Sequence, residues 1–179
     1  MKLGFMGTQG TGKSTLLERF LKDNPHYTRS VNIQRILKSK YDLDINGGAD
    51  YETQFAISAH YASEVCAYDN YISDRTVLDT FVYADTCHKI TLEQLDYIKS
   101  IFEKAVCEYD VIFYLPIEFV PPEDGVRVVD DSYRLKVDSL MQIYRNKHSS
   151  LITELRGSIE ERYYKMMSVL KASKALEAK

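Results

Sequence analysis

The sequence has few of the features that mark membrane, secreted or DNA-binding proteins. No apolar run approaches the ~20 residues that a membrane span needs, and we expect no signal peptide ahead of its first apolar segment. The three cysteines, at 66, 87 and 107, are too scattered for a disulfide framework or a metal site. We therefore expect reduced thiols, no membrane partner and a cytoplasmic location.

The sequence also lacks an excess of positive charge. Lysine and arginine number 23 against 26 aspartates and glutamates, which gives a net charge of −3. A general basic surface, the usual electrostatic footprint of nucleic-acid binding, is therefore excluded, although a local basic cleft is not. A length of 179 residues with 45% hydrophobic residues favours one folded domain over residues 1–179.

The most informative stretch is residues 7–14, which read Gly-Thr-Gln-Gly-Thr-Gly-Lys-Ser. It fits the P-loop template, and it stands between an apolar run at 2–6 and apolar residues at helical spacing. Its glycines allow successive backbone N–H groups to wrap a triphosphate, and the following helix start adds partial positive charge. The stretch therefore predicts a nucleoside triphosphate site.

P-loop chemistry assigns individual roles within this stretch. Lys13 is expected to bridge the β- and γ-phosphates, and the Ser14 hydroxyl is expected to ligate Mg²⁺. The full set of residues predicted to bind the nucleotide here is Gln9, Gly10, Thr11, Gly12, Lys13, Ser14 and Thr15.

Predicted strands and helices alternate along the chain. Strands are expected at 2–6, 26–31, 71–74, 111–115 and 151–155, with helices between them. This alternation implies a three-layer α/β fold, a five-stranded parallel sheet with helices on both faces. In the long helix predicted at 51–68, the residues expected to face the core are Phe55, Ala59, Ala62, Val65 and Cys66.

A second group of polar residues, Asp74-Arg75-Thr76, follows a predicted strand. Ligands of such sheets bind at the carboxyl ends of the strands, so Asp74 can face Mg²⁺ and Arg75 can neutralise charge on a transferring phosphoryl group. The structural alternative is an acid paired with its neighbour. Thr76 predicts a helix cap because Asp79 follows at capping-box spacing, which favours Asp79 as a helix-start residue over a catalyst.

Residues 7–14 together with 74–76 resemble the P-loop nucleoside and nucleotide kinases, in which an acid-Arg-Ser/Thr/Tyr motif follows the third strand. More narrowly, residues 74–80, with Tyr83 and Ala84, resemble the branch that includes nicotinamide riboside kinase domains. Viral and bacterial relatives described only as AAA-like ATPases or kinases belong to the same branch. Residues 124–127 and 157–162 fit the same branch. The resemblance implies a kinase fold, ATP and Mg²⁺ as cofactors, and phosphoryl transfer.

The resemblance also implies roles for arginines outside the two motifs. Arg127 and Arg134 lie in a predicted lid region at about 117–134, where they flank the loop that closes. From there guanidinium groups can reach phosphates. A solvated helix start is the alternative for Arg134. Arg156, Gly157 and Arg162 lie where relatives hold adenine, and an exposed helix position is the alternative for Arg162.

For the acceptor, the resemblance points to Arg35, Tyr51 and Gln54, which lie where acceptor pockets form. Relatives that phosphorylate a hydroxyl often carry a general-base Glu after the second strand, and Asn32 occupies that place here. Asn cannot take a proton, whereas a monophosphate acceptor arrives already ionised. The substitution favours a (deoxy)nucleoside monophosphate, with Asp74 left open as a metal ligand or an alternative base.

Three other functions remain compatible with the sequence. A nucleoside kinase, including a nicotinamide riboside kinase, would use Asp74 as its base. A kinase acting on DNA or RNA is disfavoured by the acidic composition but not excluded. A regulatory ATPase is the third, although no Asn or Gln is obviously placed to orient a lytic water. The protein is expected to be a monomer or a homodimer.

Overall fold

A computed structural model of the protein describes residues 1–45, 47–118 and 131–177. Within these residues one parallel sheet has the strand order β2-β3-β1-β4-β5. Its strands are β1 (Lys2–Met6), β2 (Thr28–Arg29), β3 (Tyr71–Ser73), β4 (Val111–Tyr114) and β5 (Ile152–Glu154). The predicted five-stranded parallel sheet is confirmed, with β1 at its centre and the second strand reduced to two residues at one edge.

The helices lie between the strands, as predicted. They are α1 (Lys13–Asp23), α2 (Ile33–Tyr41), α3 (Tyr51–Ala67), α4 (Val77–Asp85), α5 (Leu92–Ala105), α6 (Asp131–Lys147) and α7 (Ile159–Glu177), and a 3₁₀ turn, Val106–Glu108, follows α5. The capping box predicted at Thr76 is present at the start of α4, and a second one, formed by Thr91 and Gln94, starts α5. In the part of the chain that the structure describes, no helix is both long and apolar enough to cross a membrane.

The core has two halves, one on each face of the sheet. Alternate strand residues such as Leu3 and Phe5 pack with α1 and α7, whereas Met6, Tyr71 and Ile112 pack with the helices of the opposite face, α3 to α6. Strands buried on both faces need apolar side chains in both directions, which explains the nearly continuous apolar runs in the sequence.

The predicted apolar stripe of α3 is confirmed only in part: Val65 is buried and Ala62 packs against the core, but Phe55 and Cys66 do not face it. Phe55 is 39% exposed and Cys66 is exposed. The buried face of the helix instead consists of Thr53, Gln54, Ile57, Ser58, Tyr61 and Val65. Polar side chains are tolerated on this face because they find partners: the Gln54 amide donates to the Ile45 carbonyl at 3.3 Å, and the Tyr61 hydroxyl donates to Gln34 at 2.8 Å.

Candidate active site

The P-loop follows the carboxyl end of the central strand β1 and leads directly into α1. Gly7 and Gly12 have φ values of 151° and 90°, and a side chain at position 7 would lie 2.5 Å from the Leu115 carbonyl oxygen. Residues with a Cβ rarely adopt such backbone angles. The glycine spacing read from the sequence is therefore a backbone requirement of this loop.

Lys13 lies at the start of α1 with its side chain folded back into the loop. It is buried, and its ammonium group donates to the carbonyl oxygens of Gly7 at 2.8 Å and Thr8 at 2.6 Å. Burial and the nearby positive charge of Arg75 lower the pKa of Lys13 to about 8. The amine is thus charged near neutral pH and held by weak acceptors that an anionic ligand can replace.

The Ser14 hydroxyl donates to the Asp74 carboxylate at 2.7 Å, so the structure brings the two predicted metal ligands together. The other carboxylate oxygen of Asp74, Oδ1, is buried without a hydrogen-bond partner among the described residues. Among the residues that the structure describes, no group of three or more His, Cys, Asp or Glu side chains is placed to hold a metal ion. Mg²⁺ prefers oxygen ligands and usually keeps several waters. The Ser14 and Asp74 oxygens fit this preference, with the other coordination positions left to phosphate and water.

Arg75 points into the site from the same turn. Its guanidinium group lies 4.7 Å from the centre of the Tyr83 ring, and its Nη1 lies 3.9 Å from the Asp79 carboxylate. Nη1 is buried and has no hydrogen-bond partner among residues 1–45, 47–118 and 131–177. A buried guanidinium donor that still lacks a hydrogen bond suits the charge of a phosphoryl group.

Asp79 connects the two sequence motifs. Its Oδ2 accepts from the backbone N–H of Thr76 at 3.0 Å, and its own N–H donates to the Thr76 hydroxyl at 3.2 Å, as the predicted capping box requires. The Thr76 hydroxyl also donates to Oδ2 at 2.7 Å. Its Oδ1 also accepts from the backbone N–H of Gly7 at 3.1 Å. This second contact joins residues 72 positions apart, so the capping-box spacing gave no signal of it. Asp79 is fully buried, and burial raises the pKa of its carboxyl group.

The structure describes only one of the two arginines predicted for the lid. Arg134 on α6 is 4% exposed, and its Nε donates to the backbone carbonyl of Gln9 in the P-loop at 3.0 Å. The alternative of a solvated helix start is therefore wrong for Arg134. Arg127, with residues 119–130 of the predicted lid, lies outside the described residues.

The residues predicted to lie around adenine differ in how far they are buried. Arg162 is fully buried, so an exposed position is wrong, and its Nη1 donates to the Thr11 carbonyl of the P-loop at 2.6 Å. Its Nη2 donates to Glu118 at 2.6 Å, and the Gly157 N–H donates to the same carboxylate oxygen at 2.9 Å. Arg156 is exposed and forms ion pairs with Glu118 and Glu154. Sequence reasoning missed Glu118, which belongs to no motif.

A small cavity of about 30 Å³ lies beside Arg75. The residues that line it are Gln34, Ile45, Gln54, Ile57, Arg75, Thr80 and Tyr83. Of the predicted acceptor residues only Gln54 is among them. Tyr51 is half-buried at the start of α3, and Arg35 is exposed on α2. Asn32 caps α2 by accepting from the Arg35 N–H at 3.1 Å. Gln34, Thr80 and Tyr83 were not predicted to line it: Thr80 and Tyr83 belong to the stretch that carries the family resemblance, but neither was given a role, and Gln34 belongs to no motif.

Solved structures share this architecture. Deoxyadenosine kinase from M. mycoides, with products dCMP and dCDP bound, has a TM-score of 0.71 at 14% identity, over 96% of this chain and 99% of that chain. Thymidylate kinase from Ehrlichia chaffeensis has a TM-score of 0.64 at 14% identity, over 95% and 98%.

The NadR protein in complex with NAD and AMP-PNP has a TM-score of 0.69 at 16% identity. The match covers 96% of this chain and 49% of NadR, so the chain spans about half the length of that protein. No curated protein matches the sequence significantly.

These likenesses show that the chain has the fold of P-loop nucleoside and nucleotide kinases. The predicted resemblance to that superfamily is confirmed. Residues 2–162 match the family described as an AAA domain, and the chain belongs to that family.

Proposed function

We propose that the protein transfers the γ-phosphate of ATP to a small nucleotide acceptor, a (deoxy)nucleoside monophosphate. The observation that carries this proposal is the meeting of Lys13, the Ser14–Asp74 pair and Arg75 at the carboxyl ends of β1 and β3. An amine, two metal-binding oxygens and a guanidinium group are the groups that phosphoryl transfer from a nucleoside triphosphate requires.

Each group has a distinct task in the proposed reaction. Lys13 exchanges the carbonyls of Gly7 and Thr8 for the β- and γ-phosphates, which are stronger acceptors for its charge. Ser14 and Asp74 hold Mg²⁺, which neutralises phosphate charge when bound. Arg75 donates to the transferring group from Nη1, which has no hydrogen bond among the described residues, in a site whose burial strengthens electrostatic contacts.

The acceptor is proposed to enter beside Arg75 through the cavity lined by Gln34 and Gln54. A cavity of about 30 Å³ is too small for a whole nucleoside, so it receives only one polar edge of the acceptor. The oxygen of Asn32 is engaged in capping α2 and cannot act as a base. An acceptor that is already ionised, such as a monophosphate, removes the need for one.

One observation favours a second candidate, a nucleoside kinase. Arg75 is the single cation that lines the cavity in the described part of the chain, and Asp79 and Tyr83 are already beside it. Arg35 is exposed and does not line the cavity, so the acceptor phosphate lacks an evident second cation. In this candidate reaction, Asp74 takes the proton of the acceptor hydroxyl through its unpartnered Oδ1.

The deciding experiment measures ADP formation from Mg-ATP with a panel of nucleosides and their 5′-monophosphates. Lys13→Ala is the inactive reference, and Lys22→Ala, an exposed lysine on the same helix, is the matched control. Turnover stimulated by monophosphates supports the first candidate, and turnover stimulated by nucleosides alone replaces it with the second. Equal turnover with and without acceptor would indicate a regulatory ATPase, and no turnover at all would overturn both kinase proposals.

A further inference from the structure

The P-loop and the loop before α7 are tied together by a single carboxylate, that of Glu118 beyond the end of β4. Its Oε2 accepts from Arg162 Nη2 at 2.6 Å and from the Gly157 N–H at 2.9 Å. The other end of the same guanidinium group donates to the Thr11 carbonyl at 2.6 Å. Three chain segments that are far apart in sequence therefore meet through two side chains.

The contact between Arg162 and the P-loop is close. A Cβ added at Gly12 would lie 3.3 Å from Arg162 Nη1, so the guanidinium group packs directly against the turn that precedes Lys13. A displacement of this guanidinium group would move the P-loop backbone, since little free space separates them.

Stability alone gives a weak reason for an ion pair at this place. Arg162 is 0% exposed and the Glu118 side chain is 19% exposed, and removing such charges from water offsets much of their attraction. In other proteins, apolar side chains of similar volume often replace such pairs without loss of stability. The pair does something that apolar packing does not do: it fixes the orientation of two loops through hydrogen bonds of defined direction.

We propose that Glu118 is a positioning residue that sets the distance between the P-loop and the loop at Gly157, so that one nucleotide contacts both loops at once. The inference rests on the proposed function for its ligand, ATP. In this proposal the P-loop receives the phosphates, and the loop at Gly157, where the family resemblance implies adenine binding, receives the nucleoside end. A preset distance between two half-sites improves affinity only for a ligand that reaches both.

The test compares ATP with inorganic tripolyphosphate, which carries the phosphates without the nucleoside. Glu118→Gln keeps the side-chain shape but removes the charge, and its amide offers one acceptor oxygen in place of two. Calorimetry is expected to show a Kd for Mg-ATP about tenfold higher in the variant, and a Kd for tripolyphosphate changed by less than about threefold. Glu160→Gln, an exposed change on α7, is the matched control.

A second measurement does not depend on nucleotide. Hydrogen exchange of the nucleotide-free protein is expected to be faster in Glu118→Gln at both residues 8–12 and 157–158, and unchanged there in Glu160→Gln. Arg162→Lys keeps the charge but cannot bridge Thr11 and Glu118, so it serves as a second variant if Glu118→Gln does not fold.

The outcomes separate this inference from the proposed function. Equal losses of affinity for ATP and tripolyphosphate, or unchanged exchange at both loops, would overturn the positioning role. If the wild-type protein binds no ATP but Glu118→Gln still loosens both loops, the connection stands and the proposed ligand is wrong.

Discussion

The charge of Lys13 depends on pH in the range where the protein can be assayed. Its low pKa of about 8 arises from burial first and from Arg75 second, both of which disfavour the charged amine. Bound phosphates favour the charged amine, so ATP binding raises this pKa and takes up a proton above pH 8.

From this linkage we expect the affinity for Mg-ATP to be nearly constant below pH 7 and to fall above pH 8, by at most about tenfold per pH unit. Calorimetry between pH 7 and 9.5, in two buffers of different ionisation enthalpy, measures both the affinity and the proton uptake. The residual binding of Lys13→Arg should lack this dependence because a guanidinium group stays charged. The same pH curve in both proteins would assign the titration to another group.

Asp79 shows how far sequence reasoning extends for a single residue. Its capping role is local, since Thr76 is only three positions away, and the spacing predicted it. Its contact with Gly7 depends on β1 and β3 being neighbours in the sheet, which the spacing does not encode. Asp79, which the sequence predicts only as part of a helix cap, therefore also holds the start of the P-loop.

At the scale of elements, α3 is the helix whose role the structure changes most. A helix that served only the core would bury an apolar stripe, as predicted from Phe55, Val65 and their neighbours. Instead α3 buries Gln54, which lines the cavity, and exposes Phe55. A buried amide beside a cavity indicates a helix that contributes to ligand binding as well as to packing.

We therefore expect Gln54→Leu, which preserves side-chain volume, to raise the KM for the acceptor about tenfold while leaving the KM for ATP nearly unchanged. The magnitude is that of one buried hydrogen bond lost between amide and acceptor. Initial rates with each substrate varied in turn measure the two constants. Ser63→Ala, an exposed change on the same helix, is the control. A rise in the KM for ATP alone would place Gln54 at the donor instead.

At the scale of the whole molecule, the candidate site is assembled from most of the chain. β1 leads into the P-loop, β3 into Asp74 and Arg75, and α6 and α7 contribute Arg134 and Arg162 to the P-loop backbone. A ligand at the P-loop therefore contacts a structure that several elements hold in place, and its binding energy adds to the stability of the folded protein.

We expect Mg-ATP at 100 times its Kd to raise the free energy of unfolding by about 2.7 kcal/mol. Urea unfolding with and without Mg-ATP measures the change, with Lys22→Ala expected to behave as the wild type and Lys13→Ala to gain much less. An unchanged midpoint for the wild type at saturating Mg-ATP would contradict nucleotide binding at this site.

The sequence by itself determined the features that depend on neighbours along the chain. The P-loop glycines, the capping boxes at Thr76 and Thr91, and the apolar strands all follow from local backbone geometry and burial. These features were enough to predict the fold and to bring Lys13, Ser14 and Asp74 to one edge of the sheet.

Only the tertiary structure decided the contacts between distant segments. Arg162 and Thr11 are 151 positions apart, and only the packing of α7 below the P-loop brings them together. The buried face of α3 and the residues around the cavity were decided in the same way, by which helices pack against which strands. Periodicity along one helix shows that a face is buried, but the chemistry of that face depends on what it meets.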